Sequence, residues 1–372
     1  MSAHGNSREL RDNPRRFEAR SCPPPSEATQ QPDSPPTQRK RCTSRASSWS
    51  SSLLRVGYTT MAFRIAADVP FGDDIRRIAR EQIDGAVAES CHHLMPDDER
   101  IHSVRKRCKK PRGLLRLLRP CLEDIYGREN AHFRDAAQVL APLRDGHVVL
   151  AAFDAVVAHF DDEVEHQTFA PLRRQLTRRE RQRTDVKERI ADVCGRLEAA
   201  RERLAAWRLD DVVGPEGWSG GFERTYRQAR RALAAAYQAP TAEHFHEWRK
   251  SVKYHWHHAR LLSPLWDKAL AARVEVANSH GELLGLHHDL AVLRSTLADL
   301  PGAGGDAGAV SFVALIDRHQ AHIEATARPL GMRLFAEKAS QIGTRYAKYW
   351  AAWSEERQGR AATVRQVVRA SA

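Results

Sequence analysis

Two stretches hold the side chains best suited to chemistry. Residues 101–120 read IHSVRKRCKKPRGLLRLLRP and residues 245–264 read FHEWRKSVKYHWHHARLLSP. Displaced by 144 residues, His102 meets His246, Arg105 meets Arg249, Lys106 meets Lys250, and Lys109 meets Lys253. Arg116 likewise meets Arg260, and Pro120 meets Pro264. The displacement persists downstream, where Leu140, Asp145 and Val148 meet Leu284, Asp289 and Val292. One constant displacement over nearly fifty positions is the signature of an internal duplication.

Wound as helices at about 100° per residue, both stretches sort their side chains the same way. Arg105, Lys109, Arg112 and Arg116 form a stripe with His102 and Lys106 beside it. The second stretch repeats this with Arg249, Lys253 and Arg260, flanked by His246 and Lys250. Ile101, Val104, Cys108, Leu115 and Leu118 make the adjoining apolar face of the first; Phe245, Trp248, Val252, Ala259 and Leu262 make that of the second. A solvated helix face lies opposite the core and mixes both signs. These stripes are nearly pure cation and abut the core face. Cations repel at i,i+4, so a cost retained twice implies an anion that offsets it. Phosphate suits them: arginine forks grip its oxygens in pairs while lysine supplies point charge.

Other chemistries fit less well. The motif histidines, with His244, His255, His257, His258, His287 and His288, are the residue type that ligates zinc. Cysteine partners are missing and the neighbours of His102 and His246 are cationic, which disfavours a dication. Asp145 and Asp289 are expected to cap helices rather than to act as bases. No spacing supports a catalytic triad or paired carboxylates inside the stripes. Neither a catalytic residue, a metal nor a cofactor is therefore expected. For nucleic acid, stacking aromatics do not interleave with the motif cations, so that partner is disfavoured.

The surrounding text is helical from residue 63 onward. Helices are expected at 73–89, 99–119, 129–140, 146–160, 184–207, 221–237, 242–262, 268–284, 290–300, 310–325 and 329–353. Strand–helix alternation, GxGxxG and GxxxxGK[ST] are all absent, which excludes the nucleotide-binding α/β classes. The repeat makes the expected fold all-α: two tandem four-helix bundles, copy one over about 63–210 and copy two over about 218–353, with extra helices. Pro111 inside the first motif should kink its helix. The helix before each motif adds Arg76, Arg77 and Arg80 in copy one and Tyr226, Arg227, Arg230 and Arg231 in copy two, at an offset of 151.

Residues 1–60 carry 7 prolines and 11 serines and a charge of +5 out of the chain's +12, and are expected to be disordered. An over-extended gene start is the alternative, with Met61 as the true one. Residues 354–372 are expected to be a tail. No apolar run approaches the roughly 18 residues of a membrane helix. The six cysteines form no CxxC pair, consistent with a reducing, cytoplasmic compartment.

These residues resemble the CHAD family, the conserved histidine α-helical domain, over about 63–353. The marks are the H-x-x-R-K-x-x-K blocks at His102 and His246, Tyr226-Arg227-x-x-Arg230-Arg231, and the Arg144-Asp145 step. The resemblance implies bundles related by a pseudo-twofold axis, a basic channel between them, binding of inorganic polyphosphate and association with polyphosphate granules. Carried over by position, the binding set is His102, Arg105, Lys106, Lys109, Arg112, Arg116, His246, Arg249, Lys250, Lys253 and Arg260, with Arg76, Arg80, Arg227 and Arg231 at its edge. One departure is His288, which stands where copy one has Arg144. Some members carry a triphosphatase domain, but no ExExK motif is present. The expected function is non-catalytic polyphosphate binding; a phosphohydrolase, or an accessory subunit of one, is the alternative.

Overall fold

Helix starts follow local rules. In the computed structural model, which describes residues 63–92, 94–181, 185–301 and 306–370, α1 (Phe71–Ser90) begins after Pro70, with Asp73 and Asp74 in its first turn facing the positive end of the helix dipole. Helix α2 (Asp97–Leu117) begins likewise after Pro96, with Asp97, Asp98 and Glu99. Then follow α3 (Glu123–Val139), α4 (Ala141–His159), α5 (Ala170–Arg181) and α6 (Val186–Arg203). Helix α7 (Pro215–Gln238) has proline in its first turn, where the missing N–H costs nothing. Helix α8 (Ala242–Leu261) is capped by Thr241, whose hydroxyl accepts the His244 N–H at 3.2 Å. Helices α9 (Asp267–Ala298), α10 (Ala307–Leu334) and α11 (Ala339–Ala370) complete the chain. No strand occurs among the described residues, and none of their helices is long and apolar enough to cross a membrane. The expectations for residues 1–60 and for Met61 fall outside the described residues.

Several boundaries differ from expectation. Asp145 is no N-cap: α4 starts four residues earlier, at Ala141. Asp289 lies well inside α9, which is one helix rather than the expected 268–284 and 290–300. Proline explains the contrast between the copies. Pro142 cannot donate a backbone bond, so copy one breaks between α3 and α4. Copy two has Leu286 at the matching position, and its helix runs on. Helix α10 continues through Pro329 and ends at Leu334, not near residue 325. Helix α5 was not anticipated, and α11 reaches Ala370 through the expected tail. Helix α2 carries Pro111 buried within it without ending there.

Two apolar clusters hold the helices. The larger draws on α1, α2, α3, α6, α7, α8, α11, the first half of α9 and the end of α10. The smaller joins α4 and α5 to the second half of α9 and the first half of α10, with Phe153 stacked on Phe312 at 4.3 Å. All described residues belong to the unit Thr60–Ala372. The larger core therefore crosses from one copy to the other, and α4, through Leu143, α9 and α10 serve both clusters.

Helices α2 and α8 meet at a pair of residues 144 apart. Gly113 lies against its own counterpart, His257: a Cβ on Gly113 would stand 3.2 Å from that of His257. The end of α2 receives α7, where a Cβ on Gly221 would stand 1.9 Å from the Leu117 carbonyl oxygen. The counterpart of Leu117 is Leu261, whose carbonyl accepts the Ile65 N–H at 3.0 Å.

Candidate functional site

The crossing point sets the geometry. Gly113 brings α2 and α8 together, and His258 Nε2 donates to the Gly113 carbonyl at 2.9 Å. Burial pushes His258 down to about 4 and His257 well below its ordinary value. Both are neutral packing residues at neutral pH. His255 is also buried and receives a hydrogen bond from Arg273 Nε at 3.3 Å. Among the described residues no group of three or more metal-ligating side chains gathers.

On one side of the crossing the basic residues of α2 and α8 lie close enough to lower one another's pKa, and the space between the two rows is the groove. The Lys109 ammonium is held down to about 7, first by desolvation and then by Arg249, Arg105 and Lys253. Arg249 and Lys253 come from the opposite helix. Lys253 is lowered to about 8, chiefly by desolvation, against the pull of Glu282 and with help from Arg249 and Lys106. Desolvation also lowers Arg105 and Arg249. Lys109 and His102 nonetheless keep solvent-accessible surface.

The second helices supply the groove's ends. His102 is lowered to about 4, first by desolvation and then by Arg144, in the first turn of α4, with Lys106, Lys109 and Arg105. Its counterpart His288 sits 4.2 Å, ring to ring, from His246 and is pushed to about 3 by desolvation, His246 and Arg249. The copy-two end therefore carries a neutral imidazole where the copy-one end carries a cation. His246 is also lowered, first by desolvation. Three carboxylates oppose these cations, Glu282 among them through Lys253. Asp145 acts on Arg105, and Asp289 acts on Arg249. Desolvation raises Asp289 to about 6 despite Arg249, Arg144 and Lys109, and Asp145 adds to the rise. Arg105, Lys109, Arg144, Arg249 and Lys253 thus outnumber the carboxylates that face them.

Beyond the crossing, aromatic rings hold the remaining cations in place. Arg116 lies over Tyr254 at 4.1 Å and Arg112 at 5.9 Å; Arg112 Nε also donates to Asn130 at 3.2 Å. Lys253 and Arg260 lie over Trp256 at 4.8 and 5.8 Å. Aromatics therefore do interleave with the motif cations, contrary to the sequence reading. Tyr254 and Trp256 stand inside the second motif and were legible as its aromatic members. Lys110, half-buried, donates to Gln82 at 2.7 Å and is lowered to about 8 by desolvation, Arg107 and Arg260.

Not every candidate joins this group. Arg76 donates to the Trp207 carbonyl and to Asp73 at 2.9 Å, and pairs with Asp210. Arg227 pairs with Glu223 at 3.6 Å, and Lys250 pairs with Glu247. Arg80 is exposed on α1; Arg231 lines a shallow concavity on α7 with Arg224, Arg227 and Gln228. The structure thus commits Arg76 and Arg227 to structural bonds along their own helices and the adjoining turn.

The CHAD domain model matches residues 77–298, more than half the chain, and the chain belongs to the CHAD family. Among solved structures it is similar to the CHAD domain from the plant Ricinus communis, with 18% identity and a TM-score of 0.49, covering 75% of this chain and 96% of that one. It is also similar to PptA from Streptomyces chartreusis, with 16% identity and a TM-score of 0.46, covering 72% of this chain and all of that one. No curated protein matches it in sequence.

Proposed function

We propose that this CHAD-family chain is a non-catalytic binder of inorganic polyphosphate, captured in the groove between α2 and α8. The observation that carries the reading is the gathering of like charges: Lys109 of α2 lies close enough to Arg249 and Lys253 of α8 for each to oppose its charge. Holding cations together in low dielectric is unfavourable unless an anion enters. A linear polyanion would meet guanidinium forks and ammonium groups from both walls and release its counterions as it binds. The aromatic stacking of Arg112, Arg116 and Arg260 supports the same reading, because it limits rotamer freedom before the ligand arrives. Polyphosphate granules are where such a groove would find its ligand concentrated, in the cytoplasm.

A titration with polyphosphates of graded length at two ionic strengths tests this. Affinity should fall steeply with salt. Paired reversal, Arg105→Glu with Arg249→Glu, should abolish binding while helical circular dichroism survives; affinity within twofold of the parent would remove the groove as the site. Asp289, raised to about 6 beside those cations, is the observation a phosphohydrolase reading would use. Incubation with polyphosphate and Mg²⁺ or Mn²⁺ separates the two, since released orthophosphate would overturn the binding-only reading.

A further inference from the structure

Helix α5 carries a second cationic surface that the groove does not use. Its sequence, APLRRQLTRRER, places five arginines against one carboxylate, Glu180. Leu172 and Leu176 are buried in the smaller core and fix which side faces outward. Two of the arginines are spent on anchoring. Arg173 grips Asp154 of α4 through a double hydrogen bond at 2.7 and 2.8 Å, and Arg179 reaches the Thr296 carbonyl at 3.5 Å and Asp299 at 4.0 Å. The other three, Arg174, Arg178 and Arg181, are exposed at i, i+4 and i+7, and no carboxylate among the described residues pairs with them. They line an open concavity of about 660 Å³ with Ala170, Arg173 and Thr177.

Position alone would make this an ordinary solvated face, since it lies opposite the buried leucines. Its charge pattern argues otherwise. Neighbouring α6 pairs all four of its arginines: Arg189 with Asp185, Arg196 with Asp192, Arg201 with Asp84 and Arg203 with Glu129. Helix α5 instead sets three like charges along roughly 10 Å of axis with none of the i,i+4 relief that mixed signs would give. We infer that this stripe is a second binding site for a linear phosphate polyanion, taken up by the part of a long polyphosphate chain that extends past the groove. The inference rests on the proposed function. Its location fits: the Arg173–Asp154 anchor stands nine residues along α4 from Asp145, about 14 Å from the groove's end. Guanidinium groups with free forks suit phosphate oxygens. The described face offers neither a large apolar side chain to enter a lipid surface nor an aromatic ring to stack a base.

The test compares the parent with Arg174→Glu/Arg178→Glu/Arg181→Glu, and with the matching glutamine triple, on short and long polyphosphate at two ionic strengths. None of these side chains holds the fold, so circular dichroism and melting should match the parent. Long chains should bind about tenfold more weakly to the glutamate triple, with a salt slope reduced by about 2, while short chains stay within twofold. The glutamine triple should fall between. Unchanged long-chain affinity overturns the inference, as does an equal loss for both lengths. Loss of duplex RNA binding with polyphosphate unaffected overturns it in favour of a nucleic-acid surface. If the parent binds neither length, the groove reading itself fails and the extension falls with it; if the parent binds both and the triples do not differ from it, only the extension fails.

Discussion

Lys109 should make polyphosphate binding a proton-consuming reaction. In the free protein its ammonium titrates near 7, held there by desolvation and by Arg105 on its own helix, Arg249 and Lys253 on α8, with Asp289 on α9 opposing. A bound polyanion reverses the electrostatic part of this environment and raises the lysine toward its ordinary value near 10.4. At pH 8 most free molecules lack the Lys109 proton and most complexes would hold it, so Lys109 takes up close to one proton per molecule bound, and Lys253, lowered to about 8, adds a further fraction. At pH 6 the lysine is already charged and contributes no uptake. Full restoration would weaken binding by about 50-fold between pH 7 and pH 9; screening in a groove open to water brings the expected loss to about tenfold. Calorimetry at pH 8 in buffers of different ionisation enthalpy reads the proton number directly. Lys109→Arg keeps the charge at every pH, so its uptake at pH 8 should be smaller by close to one proton and its affinity should fall less toward pH 9. Buffer-independent heats for the parent at pH 8, with binding intact, would refute the reasoning, and so would equal uptake in Lys109→Arg.

The other expectations are local. Tyr254→Ala should weaken binding several-fold by releasing Arg112 and Arg116, each stack being worth about 0.5–1 kcal/mol; Tyr254→Phe should bind like the parent in the same titration. Gly221→Ala should destabilise by at least about 2 kcal/mol in denaturant unfolding, because its methyl would overlap the Leu117 carbonyl. Gly127→Ala, whose Cβ meets nothing within 4 Å, should be neutral or slightly stabilising. Acid should melt the protein through its buried histidines. His258 and His280 titrate near 4 when folded and near 6.5 when unfolded, so the unfolded state binds more protons between those values and stability is lost as pH falls through that window. A melting temperature flat from pH 7 to pH 4.5 would contradict this.

The doubled motif was legible because helical periodicity is a local property. Once residues 101–120 and 245–264 are helices, turning by a fixed angle per residue places Arg105 beside Lys109 and Arg249 beside Lys253 wherever the helices lie. Starts at Pro96, Pro215 and Thr241 are local for the same reason. Pro142 shows where this knowledge was present but unread: the missing N–H that separates α3 from α4, and its absence at Leu286, were visible in the chain. Helix α5 was harder to see, since its amphipathic signal rests on only Leu172 and Leu176 within an arginine-rich run.

Whether the two cationic rows confront each other or turn away depends on contacts between residues 144 apart, and no spacing rule reaches that far. The close approach at Gly113 and His257 decides it. The same distance dependence assigns the remaining arginines. Arg76 and Arg105 read alike in sequence, yet one finds the Trp207 carbonyl and Asp210 while the other finds Ala137, Asp145 and the opposite helix. Asp289 looked like a cap and became a groove carboxylate because its helix did not break. Charge and helical phase belong to the chain itself, but desolvation and the identity of each charge's neighbour exist only once distant segments are packed together. That packing turns basic helices into a groove.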